Sequence, residues 1–300
     1  MSRIPPAMSS TATAASKRPK SPMMRSNARS SVSGSRRSAF AALRISAAVH
    51  VAAGSTSPWW HAASARIQAR RTPHRIGARA GPRYPARMQP RFLYLHGFAS
   101  GPRSTKAVAF ADHYAQRGIV LDRLDQRVPS LEHLRLSAMI AAVEQAIGGP
   151  TDRAVVFGSS LGGLTAARVA ERDPRVTGLV LLAPAFLLID RWRALPGWED
   201  WRRTGWRDIH DYQTRQPARI DFGAAEDAMA IDVGYPEVRV PTLIFHGVHD
   251  PDVPIEISRA FARGEPHVRL VELDDGHDLI ASLPRMLDET DRFLAPWLGG

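Results

Sequence analysis

Of the 300 residues, 44% are hydrophobic, enough for one large domain or two small ones, and none is cysteine, which excludes disulfides and leaves the redox compartment open. The net charge of +11 is unevenly placed: residues 1–87 hold 16 of the 40 Lys and Arg and no acid, whereas 88–300 carries 24 basic residues against all 29 acidic ones, a net −5. The basic balance belongs to the first 87 residues, and charge gives nucleic-acid binding by the rest of the chain no support.

Residues 1–87 are rich in Ser, Ala, Arg and Pro and show neither alternation nor a helical stripe, a composition that cannot bury enough surface to fold alone. They read as a disordered basic extension. An organelle transit peptide shares this Arg-rich, acid-free character, and Ser35-Arg36-Arg37 ahead of Ala39 to Ala53 outlines a secretion signal. Arg44 and His50 break that apolar run, and no stretch approaches the roughly 18 apolar residues of a membrane span. A plainer expectation is that Met88 is the true start, since ordered patterning begins at Arg91. The 213 residues 88–300 then form one cytoplasmic domain. An alternative keeps the extension as an anchor to nucleic acid or an acidic membrane. Arg content alone is weak evidence for either, so neither partner is expected.

From Arg91 the chain alternates strands and helices. Strands are expected at Arg91–His96, Ile119–Arg123, Ala154–Phe157, Val176–Ala183, Val240–His246 and Val268–Leu273. Helices are expected at Ser104–Arg117 with Ser104 as N-cap, at Ser130–Ile147, from Leu164 onward, at Ile255–Arg263 and at Leu283–Leu294. Six strands alternating with helices predict an α/β fold with a doubly wound, mainly parallel six-stranded sheet, whose sites gather at the carboxyl ends of the strands. Residues from about 185 to 235 break the rhythm with Trp192, Trp198, Trp201 and Trp206 among charged residues, and read as a helical insertion over the active-site edge.

The chemistry starts at Gly158-Ser159-Ser160-Leu161-Gly162, a Gly-x-Ser-x-Gly turn between a β-branched strand and an Ala-rich helix. Such a turn exposes its serine on a strained backbone, and glycines give the room. Ser160 is therefore the candidate nucleophile, and the Leu161 N–H at the helix start is a candidate oxyanion donor. A serine hydroxyl needs an imidazole to take its proton, and the imidazole needs a carboxylate to fix its tautomer. Asp250 and His277 follow the fifth and sixth strands, so the order Ser160, Asp250, His277 assigns acid and base. Asp252 is the rival acid, while Asp274, Asp275 and Asp278 read as turn-solvating. The Phe98 N–H, after His96-Gly97, is the second oxyanion candidate, and His96 reads as structural.

The segments Tyr94 to Ala107 (Tyr-Leu-His-Gly-Phe-Ala-Ser-Gly-Pro-Arg-Ser-Thr-Lys-Ala), Gly158 to Gly163, His246 to Asp250 and Gly276-His277 together resemble the small bacterial esterases of the YqiA type within the α/β-hydrolase superfamily. The resemblance spans about Arg91 to Leu298. It implies a compact serine esterase acting on small-molecule acyl esters or thioesters without metal or cofactor, with Ser160, Asp250 and His277 catalytic and Phe98 and Leu161 as oxyanion donors. Pro102 to Lys106 is its more family-specific mark, and no chemistry attaches to Lys106. The extension and the Trp-rich insertion depart from the pattern. Trp192, Trp198, Trp201, Trp206 and Phe222 could wall a substrate pocket or equally pin the insertion to the sheet.

Three other readings stay open. A metal site can be drawn from His246, His249, Asp250 and Asp252, although the His-Glu-x-x-His spacing of a zinc protease is missing. An inactive binding module would use the Trp-rich face as its partner surface. Lactonase, acyltransferase and carbon–carbon hydrolase chemistry all use the same constellation. Gly158 to Gly163 fits no phosphate-binding fingerprint, so no nucleotide is expected.

Overall fold

The computed structural model describes residues 89–298. The readings of residues 1–87 as a disordered extension and of Met88 as the start lie outside the described residues.

Within them, strands β1 (Arg91–Leu95), β2 (Leu121–Leu124), β3 (Ala154–Ser159), β4 (Val176–Leu182), β7 (Thr242–Gly247) and β8 (Val268–Leu273) form one parallel sheet in the order β2-β1-β3-β4-β7-β8. β5 (Trp206–Asp211) and β6 (Gln216–Asp221) pair separately as an antiparallel hairpin. The helices are α1 (Thr105–Ala115), α2 (Leu136–Ile147), α3 (Leu161–Arg172), α4 (Leu188–Ala194), α5 (Trp198–Thr204), α6 (Gly223–Ile231), α7 (Ile255–Ala262) and α8 (Leu283–Leu298). No helix among the described residues is long and apolar enough to cross a membrane.

The central strands read as apolar runs because both sheet faces are covered. Side chains alternate between two cores. Leu93, Leu95, Ala154 and Val156 join the core shared with α2, α3 and the insertion. Phe92, Tyr94, Val155 and Phe157 join the opposite one, where Phe110 and Tyr114 of α1 and Trp297 of α8 pack. Phe110 and Tyr114 meet the Phe157 ring edge-on at 5.6 and 6.0 Å, which fixes α1 against the strand that leads into the Ser160 turn.

Three local departures have identifiable causes. The second helix starts at Leu136 rather than Ser130, because Arg135 is extended (φ −134°, ψ 125°) and its guanidinium grips Asp221 at 2.7 and 2.9 Å. Ser104 stands at the N-cap of α1, but its side chain makes no capping hydrogen bond. The insertion holds the expected helices, α4 to α6, and also the β5–β6 hairpin, which replaces helix over Trp206–Asp221. Its turn contains no glycine: Asp211 Oδ1 accepts the N–H groups of Gln213 (2.8 Å) and Thr214 (3.3 Å), and Arg215 takes a positive φ of 60°.

Candidate active site

The β3–α3 junction bends so sharply that Ser160 adopts φ 53°, ψ −115°, a conformation L-residues disfavour. Two glycines make the bend possible. A Cβ on Gly158 would lie 2.3 Å from the Gly162 carbonyl oxygen, and one on Gly162 would lie 2.3 Å from that of Leu95. The turn is held from the neighbouring strand: Ser160 N–H donates to Leu182 O (2.9 Å), and Ser160 O accepts from Gly163, Leu164 and Ala185. Gly97 comes close enough that a Cβ there would stand 3.2 Å from Ser160 Cβ, so the loop after β1 lies directly against the serine. The N–H groups of Phe98 and Leu161, one from each side, donate to no backbone or side-chain acceptor among the described residues. For Leu161 this is the ordinary state of a first helical N–H.

The candidate acid and base come from the ends of β7 and β8. A Cβ on Gly247 would meet the Asp275 carbonyl oxygen at 2.3 Å, so glycine lets the loops after β7 and β8 touch. Across that contact Asp250 Oδ2 accepts from His277 Nδ1 at 2.7 Å. The Asp250 side chain is fully buried and that of His277 is 22% exposed. Asp250 Oδ1 accepts the N–H groups of Asp252 and Val253, both at 2.8 Å. Burial works against ionising this carboxyl, but the hydrogen bonds from His246 and His277, the His277 charge and the Val253 N–H outweigh it and hold Asp250 well below the usual carboxylate range. The rival, Asp252, is exposed and gives Asp250 only its main-chain N–H. Among the described residues no hydrogen bond joins Ser160 Oγ to His277 Nε2, a contact that is often long before substrate binds.

His246, at the end of β7, braces this arrangement. Its Nε2–H donates to Val253 O at 2.7 Å and lies 3.3 Å from Asp250 Oδ2, while Nδ1 meets Ser258 Oγ at 2.7 Å. The metal set drawn from the sequence does not assemble, because His249 turns instead to Asp274 (2.8 Å). A different trio, Asp250, Asp252 and His277, has donor atoms within 4.8 Å of one another, but His277 Nδ1 is already spent on Asp250. His96 is buried between its neighbours: Nδ1–H donates to Gly97 O (2.9 Å) and Nε2 accepts from Gln126 N–H (2.9 Å). Burial, chiefly, keeps it neutral.

The five aromatics separate into different jobs. Trp192 meets the Phe98 ring edge-on at 6.1 Å and lines a small apolar cavity beside Leu161, shared with Leu134, Leu136, Met139 and Leu188. Trp201 is buried, donates its indole N–H to Ile220 O (3.2 Å), and packs against Trp192, Trp198 and Phe222 at 5.4 to 5.8 Å. That cluster pins the insertion. Trp206 lies elsewhere, between His133 (5.7 Å) and the Arg219 guanidinium (4.0 Å). Of the five, Trp192 alone lines that cavity, together with aliphatic side chains.

Two side chains near the site carry no role in the sequence reading. Lys106 reaches the His277 carbonyl, and burial pulls its ammonium down to about 8 against the opposing pull of Asp278, Asp250 and Asp275. Arg191 of α4 makes no ion pair within 4 Å among the described residues, and burial lowers it despite the more distant Asp250, Asp232 and Asp252. Lys106 had a signal, its place in the Pro102 to Lys106 segment; Arg191 had none.

A parallel six-stranded sheet with a sharp serine turn at one strand end, and Asp250 and His277 on the loops of two later strands, is the architecture of an α/β-hydrolase fold. Solved structures share it: the mouse alpha/beta hydrolase domain-containing protein 10 is 21% identical, with a TM-score of 0.59 over 68% of this chain and 89% of that one. Est1E from Butyrivibrio proteoclasticus, solved with ferulic acid bound, is 21% identical, with a TM-score of 0.60 over 74% and 94%. Through residues 91–293 the chain belongs to the uncharacterised protein family UPF0227, that of the YqiA-type proteins. No curated protein matches it.

Proposed function

We propose that this chain is a serine hydrolase that cleaves small carboxylic esters or thioesters through an acyl-Ser160 intermediate. The observation that carries this reading is the 2.7 Å bond between Asp250 and His277, made by two loops at the sheet edge where Ser160 stands on its strained turn. With Nδ1–H committed to Asp250, His277 presents Nε2 as an acceptor. Ser160 Oγ attacks the acyl carbonyl carbon as His277 takes the hydroxyl proton, and Asp250 stabilises the imidazolium. The N–H groups of Leu161 and Phe98 receive the oxyanion. Collapse expels the alcohol or thiol, which leaves with the proton from His277. Water, deprotonated by His277, then releases the acid and restores Ser160. The sequence is complete without metal or cofactor. The apolar side chains beside Leu161, among them Leu134, Leu188 and Trp192, are the surface against which the acyl chain would lie.

The test treats the full chain and Ser160→Ala with a fluorophosphonate probe and with short and medium acyl esters. Labelling and turnover by the native protein, both absent from the variant, are expected. Folded native protein that neither reacts nor turns over any ester would overturn the assignment.

A further inference from the structure

Lys106 stands where local physics opposes it. It is the second residue of α1, and a cation in a first turn faces the positive end of the helix dipole. It is also half-buried. Its Nζ crosses from the first strand–helix connection to the last, donating to the His277 carbonyl over a long 3.5 Å. No other hydrogen bond reaches the His277 main chain among the described residues. Two residues on, Leu279 is fully buried with a positive φ of 55°, so a strained segment follows the base.

Building on the serine-hydrolase reading, we infer that Lys106 is a positioning residue for His277, tethering its carbonyl and offsetting the carboxylates around its ring. The groups facing this region are Asp250 and Asp252 from the loop after β7, Asp275 and Asp278 from the loop after β8, and Arg191 from α4. Asp274 is paired with His249. Carboxylates near an imidazole favour its charged form, and a base already protonated cannot accept from Ser160. Lys106 is a cation hydrogen-bonded to the carbonyl of the residue that carries the imidazole, and so stands opposite these carboxylates.

The experiment compares the full-length native protein with Lys106→Met and Lys106→Arg in kcat and kcat/KM against pH, using one ester substrate. The Met variant is expected to move the acid limb up by about 0.5–1 pH unit, the order of effect of one charge several ångströms away. It should lose about tenfold in kcat with KM within about threefold, the mark of a base set out of line rather than of lost binding. The Arg variant keeps the charge, holds the limb near its native place and recovers part of the rate. NMR titration of the His277 ring in the same proteins needs no turnover, so failure of the hydrolase reading would leave this inference separately decided. A folded Met variant with native acid limb and native ring titration would overturn it, as would an Arg variant displaced as far as the Met variant.

Discussion

Replacing Asp250 by Asn changes one atom of a side chain that is fully buried and fully engaged. Oδ1 accepts from the N–H groups of Asp252 and Val253, so the amide oxygen of Asn must stay there. The amide NH2 then faces His277 Nδ1, where Asp250 now accepts a hydrogen bond at 2.7 Å, and it also confronts the His246 Nε2–H 3.3 Å away. His277 can meet that NH2 only by accepting at Nδ1, which puts its proton on Nε2, the atom that must take the Ser160 proton. The flipped amide is no better, because it points NH2 at two N–H donors. If Asp250 acts as the proposed acid, the expected loss is about 10⁴-fold in kcat, or roughly 5 kcal/mol of transition-state stabilisation, as in Ser–His–Asp triads whose acid becomes an amide. Asp252→Asn changes an exposed side chain and should stay within about threefold. Steady-state ester hydrolysis, with circular dichroism as the folding control, separates the two. An Asp250→Asn protein within tenfold of native activity, or an Asp252→Asn protein as crippled as expected for Asp250, would refute the assignment of the acid.

Gly162→Ala forces a Cβ to 2.3 and 2.6 Å from the carbonyl oxygens of Leu95 and His96, so it should cost about 3 kcal/mol and lower Tm by roughly 6–12 °C in a scan of the full chain. The Lys106 ammonium is lowered to about 8 in the folded protein against roughly 10.4 unfolded, so between these values the unfolded chain binds the extra proton and stability rises with pH. Native stability relative to Lys106→Met should therefore be flat below about pH 8 and climb through that window; denaturant melts at pH 7, 9 and 10.5 show it, and a fall with pH would contradict it. Ala228 is buried in the cavity beside Leu161, and Ala228→Leu should reduce kcat/KM for butyryl relative to acetyl esters by at least about tenfold. An unchanged ratio would place the acyl chain elsewhere.

The sheet was legible because its strands obey simple periodicities. β3 opens on Ala-Val-Val-Phe and β4 closes on Leu-Val-Leu-Leu, both fully buried, and the strands at Arg91 and Val268 start where the sequence puts them. The hairpin in the insertion was not legible, since Trp-Arg-Asp-Ile-His-Asp lacks apolar alternation and its turn relies on an Asp211 side chain instead of Gly. The start of α2 depended on the ion pair from Arg135 to Asp221, 86 residues away, which no local pattern carries. Ser160, Asp250 and His277 could be placed on one sheet edge from strand ends alone, and chain order favoured Asp250 over its rival Asp252; the loop geometry adds the 2.7 Å bond from His277 Nδ1 to Asp250. The Trp residues left two readings open for a different reason: a cluster such as Trp192, Trp198 and Trp201 has the same composition whether it faces substrate or glues an insertion down.

The strained backbone of this chain is not scattered. Six non-glycine residues among those described have positive φ, and Arg215 alone belongs to the hairpin turn. Ala99 follows β1 beside Phe98, Ser160 follows β3, Ala183 and Leu187 follow β4, and Leu279 follows β8 just past His277. Each such position costs on the order of 1 kcal/mol or more, and a fold retains it only where the surroundings dictate the conformation. Here they do: Ser160 is bonded through both its N–H and its carbonyl, Ala183 N–H donates to Phe245 O, and Ala99 O accepts from Tyr212 N–H at the hairpin tip. The hairpin thus clamps the loop that offers the Phe98 N–H. Two well-packed cores on the faces of the sheet supply the stability that lets five strained residues crowd its carboxyl edge, and that edge carries Ser160, Asp250 and His277.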